Sequence, residues 1–338
     1  VTGFLQCMAG TPSSRRPLHR SKHVTSTTLL TEGVFRASRL RFLQASCKVT
    51  LEHHAESAPV TGSFESGGNY VCLGTSSGHL RVMAYKDNGC SARLTTVREL
   101  LCPLPDVSSA HWGTIRRSWV LVASRRSRLA HVYDVKAAPP AYTSAPGGTP
   151  ATPTVSLQCN LGTGTIGDIT FCRGQEVAVG GTSMGIVNVW DIRTGGKPKR
   201  SLEATGGYVD TVQPWDDGTT MILGSRDGKL SVWDMRRLTR SLGVLDLTSS
   251  TSEQKHIVSL SGACRFALRP EPSEIVFGGS DGVGVVDPVR LCVVAWYPWE
   301  ADDISPDPRD MIRQPLACIG GRDTHLVAWA GPHGSLTL

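Results

Sequence analysis

Gly162-Thr-Gly-Thr-Ile-Gly167 has the spacing with which glycines let a backbone close around a dinucleotide pyrophosphate, and Asp191 follows where a ribose-binding acid is found in such sites. That chemistry needs a helix opening at the third glycine. The residues from Asp168 to Gly181 read instead as strand, turn and strand, so the segment is expected to be a turn between sheets, with no nucleotide cofactor. His19 and His23, and the adjacent His53 and His54, offer imidazoles to a metal, but the first pair lies among arginines and no Cys or carboxylate supports either. The acidic stretch with Glu300, Asp302, Asp303, Asp307 and Asp310 lacks the turn spacing of a calcium loop. No Cys stands beside a His in a nucleophile-like arrangement. No metal, cofactor, small-molecule substrate or catalytic residue is therefore expected, and the protein reads as non-enzymatic.

Self-similarity carries more information. An apolar strand, a Gly- or Ser-containing turn and a second, alternating strand recur at Tyr70–Tyr85, Val120–Asp134, Val177–Asp191 and Met221–Asp234, with weaker copies at Ile275–Asp287 and Leu326–Leu338. Gly78, Gly185, Gly228, Gly282 and Gly334 supply the turns. Strands that are apolar on both faces need a sheet on either side, which one hairpin cannot provide. Stacking the hairpins around an axis does. The abundance of Gly and the shortness of the apolar runs fit the same all-β reading.

At Val189-Trp190-Asp191 and Val232-Trp233-Asp234 the copies resemble the repeats of the WD-repeat family, with Tyr133-Asp134 as a diluted version. The resemblance spans roughly residues 46 to 338. It implies a β-propeller of four-stranded blades, seven by preference with six as the alternative, closed by a strand from near the N-terminus. Cys47 to Glu52 is the candidate closing strand, and Val24 to Leu43 would hold a seventh, degenerate blade or a strap. The family's buried Trp, Ser or Thr, Asp and His set is incomplete here. Ser225 and Asp227 match it beside Trp233, with Thr205 where the His would stand. Thr182 matches it beside Trp190, with Met184 in place of the Asp. Apolar packing is expected to hold the blades.

Arg193 and Arg236 complete Trp-Asp-Ile-Arg and Trp-Asp-Met-Arg, which resemble the WDxR signature of substrate receptors for cullin-RING ubiquitin ligases. An Arg just past the third strand either meets an acidic adaptor at the rim or pairs within its own blade. Further basic clusters at Arg116-Arg117, at Arg125, Arg126 and Arg128, and at Lys197-Pro-Lys-Arg200 are solvated faces or RNA contacts, without the interleaved aromatics of single-strand readers. The expected function is a scaffold or adaptor in a multiprotein complex, the alternatives being a ligase substrate receptor and an RNA-contacting subunit of a ribonucleoprotein.

A net charge of +6 permits acidic partners without requiring nucleic acid. Ten Cys scattered singly argue against a disulfide framework and for a reducing compartment. No apolar run approaches a membrane span, so no membrane insertion is expected. Residues 1–23 read as a basic arm or targeting remnant, with Arg15, Arg16, Arg20 and Lys22 in an acid-free stretch, and a mitochondrial location stands beside cytoplasm or nucleus. Residues 24–338 read as one domain with loop insertions at about 137–154 and 299–315.

Overall fold

The computed structural model describes residues 48–49, 59–65, 69–87, 92–137, 150–215, 217–237, 239–248, 266–269, 274–278, 282–298, 315–320, 325–330 and 336–337. Every regular element among them is a β-strand, and the strands form six four-stranded antiparallel sheets. Sheet I comprises Pro59–Phe64, Tyr70–Thr75, His79–Asp87 and Ala92–Leu101. Sheet II comprises Ser109–Trp112, Trp119–Ala123, Leu129–Asp134 and Val155–Gln158. Sheet III comprises Ile166–Phe171, Val177–Thr182, Ile186–Asp191 and Arg200–Glu203. Sheet IV comprises Val209–Pro214, Thr220–Ser225, Lys229–Asp234 and Ser241–Asp246. Sheet V comprises Phe266–Arg269, Glu274–Gly278, Gly282–Asp287 and Cys292–Pro298. Sheet VI takes Pro315–Gly320, His325–Ala330 and Leu336–Thr337 from one stretch of chain and Lys48–Val49 from far earlier in it.

Each repeated hairpin supplies the second and third strands of a sheet. Gly78, Gly185 and Gly228 adopt positive φ at the turns of the first, third and fourth, the conformation that a residue without Cβ takes at no steric cost. Lys48 faces Thr337 and Val49 faces Leu336, so the pairing strand lies within the stretch expected for it. Pro315, counted into the acidic loop from sequence, opens the first strand of sheet VI. The rest of that loop, the middle of the 137–154 insertion, and Val24 to Leu43 lie outside the described residues. Ser46–Leu338 forms one compact unit.

The order of the sheets follows from what their faces bury. In sheet II, Val120 and Val122 join Cys72, Leu80, Val82 and Leu100 of sheet I, while Leu121 between them joins Ile166, Ile169 and Ala178 of sheet III. Likewise Met221 and Leu223 of sheet IV pack with Val179 and Val187 of sheet III, and Ile222 packs with Ile275 and Phe277 of sheet V. Alternate residues thus serve opposite neighbours, which is why these strands read as apolar throughout. The first strands of successive sheets touch in turn, I with II through V with VI, and that of sheet VI touches that of sheet I. The arrangement fits a β-propeller.

In sheets II, III and IV the aromatic residue near the end of the third strand wedges between sheets. Tyr133 packs with sheet I, Trp190 with sheet II and Trp233 with sheet III. Trp190 is fully buried and its Nε1–H donates to the Gln158 carbonyl of the preceding sheet at 3.2 Å.

Candidate functional site at the hairpin-turn end of sheets II to IV

In an antiparallel four-stranded sheet, the turn between the second and third strands lies at the same end as the linker leaving the fourth. Backbone bonds tie the two together here, from Cys102 to Gly78, Ala204 to Gly185, and Leu247 to Gly228. This hairpin-turn end carries Arg125, Arg126 and Arg128 of sheet II, Met184 of sheet III, Arg226 of sheet IV and the linker residues Leu161 and Tyr208. Met184 and Leu161 are exposed apolar side chains.

Two buried carboxylates hold this end together. Asp168, on the first strand of sheet III, accepts from Ser109 Oγ at 2.6 Å and from the Val212 N–H at 2.9 Å, and His111 Nε2 stands 3.2 Å from it. One side chain therefore bonds sheets II and IV from the sheet between them. Burial by itself would raise its carboxyl, but the neighbouring imidazole and the bonds from His111, Ser109 and the Val212 N–H outweigh it and hold the group below its ordinary value. Ser109, His111 and Asp168 are the residue types of a hydrolytic triad, in the wrong arrangement. The serine hydroxyl donates to the same carboxylate oxygen that faces the imidazole, and it also accepts from the Ile169 N–H at 3.2 Å. Ser109 is buried. Two Gly-x-Ser-x-Gly stretches that sequence reasoning overlooked, Gly74–Gly78 and Gly181–Gly185, are hairpin turns leading into strands, not the strand-to-helix elbow that exposes a nucleophile.

The second carboxylate is Asp210. It sits at the bulge between the first two strands of sheet IV, the position Gly167 takes in sheet III. A Cβ on Gly167 would lie 2.0 Å from the Val209 carbonyl and 2.6 Å from Tyr208, so glycine is what lets sheet IV approach. Arg226 reaches Asp210 with Nη2 at 3.0 Å from Oδ1 and stacks its guanidinium 3.8 Å over the Tyr208 ring. Arg125, one sheet further away, brings Nη2 to 3.4 Å from the same oxygen. The Asp210 side chain is wholly shielded, while those of Arg125 and Arg226 keep 25% and 42% of their surface.

Apart from the Trp190 bond to Gln158, the WD-like residues make polar contacts that stay within short stretches of chain. Ser225 bonds Asp227 and the Lys229 carbonyl, and Asp227 pairs with Lys229. Trp233 Nε1 donates instead to Ser231 at 2.9 Å, and the Thr205 hydroxyl donates to Gly207. The Thr182 hydroxyl accepts from the Met184 and Ile186 N–H groups, closing its own turn.

Arg193 and Arg236 stand at the opposite end of the strands. Each folds back on its own sheet, Nε and Nη2 of Arg193 reaching Asp191 at 3.1 and 2.9 Å, and those of Arg236 reaching Asp234 at 3.0 and 2.9 Å. The Arg236 fork brings the Asp234 carboxyl down to about 2, and Arg193 holds Asp191 below the usual range. Arg116, nearby in sheet II, lies over Trp119 and pairs with Glu176, where a shallow cleft has room for about one water.

His19, His23, His53, His54 and the basic residues of the N-terminal stretch lie outside the described residues. Among the described residues no three His, Cys, Asp or Glu side chains gather as a metal site, and no helix is long and apolar enough to cross a membrane. Burial pushes the Cys72 and Cys159 thiols up to about 11 and those of Cys102 and Cys172 up to about 12, which leaves them protonated and unreactive.

No family model matches the sequence, and neither does any curated protein. Solved structures do, in fold: a chain described as "Crystal Structure of Mitotic Checkpoint Complex" aligns with a TM-score of 0.55 at 14% identity, over 85% of this chain and 74% of that one. In all, 1590 solved chains match, a breadth at which fold alone selects no function.

Proposed function

We propose that this protein is a non-catalytic docking platform, a β-propeller that holds a partner protein against the hairpin-turn end of sheets II to IV. The observation that carries the reading is the combination found there. Exposed Met184 and Leu161 and a group of arginines stand at an end held by Asp168, whose bonds run to sheets II and IV, and by Asp210, which bonds Arg226 within sheet IV and pairs with Arg125 of sheet II. Rigid sheets presenting apolar and cationic side chains suit a protein surface, since the turns need no ordering on binding. The six sheets among the described residues and their round of first-strand contacts support the six-bladed alternative over seven, with Lys48–Val49 as the closing strand. The matched chain comes from a multiprotein complex, which agrees with a partner-bound role.

The engagement of Arg193 and Arg236 by their own aspartates favours the structural role of the WDxR arginines over contact with a ligase adaptor. Their 69% and 71% exposure leaves the adaptor reading open to direct test. The test is native purification of the full chain, with quantitative mass spectrometry, for the wild type, for L161E/M184E and for R193E/R236E. A stoichiometric partner lost only from L161E/M184E supports the hairpin-turn end. Loss confined to R193E/R236E, with a cullin-RING adaptor among the lost proteins, replaces it by the ligase reading. Absence of any stoichiometric partner overturns the platform.

A further inference from the structure

Two guanidiniums converge on one shielded carboxylate at the hairpin-turn end. Arg125 and Arg226 come from sheets II and IV, occupy the same position in their turns, directly after Ser124 and Ser225, and meet at Asp210. Arg226 makes hydrogen bonds there; Arg125 makes an ion pair at 3.4 Å, and its Nε and Nη2, hidden from solvent, have no hydrogen-bond acceptor among the described residues. The inner edge of Arg125 is thus held only by the longer ion pair to Asp210, and the quarter of its side chain that stays exposed is where one more anion would reach it. At this end Arg125, Arg126, Arg128, Arg226 and Lys229 stand with Asp106, Glu203, Asp210, Asp227 and Asp246; Asp227 and Asp246 lie beside Lys229 and Asp106 accepts from the Ser124 hydroxyl, which leaves Asp210 as the carboxylate that Arg125 and Arg226 share.

We propose that Arg125 and Arg226 together form a carboxylate-binding site, and that its ligand is an acidic side chain on an extended segment of the partner protein. This deepens the docking reading above and rests on it. An acidic peptide is favoured over a nucleic acid by two features. Asp210 lies directly beneath the pair, so a dense polyanion would meet a fixed negative charge that a single carboxylate, bound on the outer edges of the forks, does not need to approach closely. Beside its charged residues the region exposes two apolar side chains, Met184 and Leu161, which suit a peptide that alternates acidic and aliphatic residues better than a sugar-phosphate chain. Arg226 is already ordered by its stack on Tyr208 and its bonds to Asp210, which lowers the entropy lost on binding.

The test uses the full chain and a short fluorescein-labelled peptide of alternating Glu and Leu, with a Gln/Leu peptide, inorganic phosphate and single-stranded RNA as comparisons, read by fluorescence anisotropy. The Glu/Leu peptide is expected to bind in a salt-sensitive way and the Gln/Leu peptide at least about tenfold more weakly, the loss of charge-assisted hydrogen bonds. R125K and R226K keep a cation near Asp210 while removing the fork, and each is expected to weaken the peptide by about tenfold, R125K with little change in thermal midpoint and R226K with a lowered one from its lost bonds to Asp210 and stack on Tyr208. D210N removes the competing internal anion and is expected to tighten binding, an outcome that misfolding cannot imitate. Equal binding of both peptides, or no response to R125K, R226K and D210N alike, overturns the site. RNA that binds more tightly than the peptide and is lost in R125K and R226K replaces the acidic peptide by nucleic acid, and phosphate that displaces the peptide fully at equal concentration reduces the site to a simple anion hole. Should the native partner of the purification experiment persist in R125K/R226K, the platform stands and the carboxylate site falls.

Discussion

Replacing Asp168 by Ala removes one acceptor from three donors on two other sheets. The Ser109 hydroxyl has a second acceptor in the Ile169 carbonyl at 3.2 Å, and His111 keeps partial access to water. The Val212 N–H has no such alternative and is left buried and unbonded. An orphaned buried donor costs about 1–3 kcal/mol and a bond to a charged acceptor about as much again, so a loss of roughly 3 kcal/mol is expected. Against a typical domain stability of about 5–15 kcal/mol, that is a large fraction. Asp168→Asn keeps the shape and one acceptor, and is expected to lose about half as much. Urea unfolding followed by tryptophan fluorescence measures both, with the midpoint moving and the slope unchanged. The pH dependence gives an independent reading. Because the folded carboxyl titrates below its ordinary value of 3.8, the unfolded chain binds more protons in that range. The stabilisation is therefore complete above the ordinary value and lost as pH falls through the depressed one. Asp168→Asn removes that part of the acid sensitivity. A shift below about 0.5 kcal/mol for Asp168→Ala, the size of a neutral surface change, refutes the claim that this carboxylate binds three sheets together.

Trp190→Ala empties a fully buried site between sheets II and III and is expected to destabilise by about 3–5 kcal/mol, whereas Trp190→Phe mainly loses the bond to Gln158; calorimetry separates the two. Gly167→Ala places a methyl against the Val209 carbonyl and is expected to cost about 1–3 kcal/mol in the same urea assay, more than Gly206→Ala, where nothing stands within 4 Å. Arg236→Ala frees Asp234, whose carboxyl is expected to rise from about 2 toward its ordinary value of 3.8 in an NMR titration, with no change in the unfolding midpoint. Cys72, Cys102, Cys159 and Cys172 are expected to resist a thiol reagent at pH 8 in the native protein and to react at once in urea, while half-buried Cys292 reacts earlier than these four by peptide mapping.

The hairpins were legible because their signals are local. A Gly- or Ser-containing turn, and in sheets II to IV an aromatic-Asp pair ending the third strand, need only a few residues to be seen, and the described strands fall on them. The inter-sheet bonds were not legible. Ser109, Asp168 and Val212 belong to three different repeats, and nothing in the neighbourhood of Asp168 distinguishes it from a polar residue on an exposed strand. Arg226 is an intermediate case. Aligning the repeats on Ser124 and Ser225 puts it in register with Arg125, so a comparison of turn positions would have paired the two, though not shown that Asp210 lies between them. For Arg193 and Arg236 the sequence offered two fates, and only the geometry reveals that the aspartate two residues earlier claims the fork.

Sheet VI joins residues far apart in the chain through two residue pairs, Lys48 with Thr337 and Val49 with Leu336. During synthesis, Lys48–Val49 must wait unmated until Leu336 has cleared the ribosome, so a nascent chain holds five sheets' worth of hairpins with this latch still undone. Long-range contacts of this kind form slowly, and the waiting edge is open to chaperones and to neighbouring chains. Force-profile measurements with arrest peptides should then register tension late, once residues near 337 emerge, and a K48P/V49P chain should lose that late step while keeping the earlier ones.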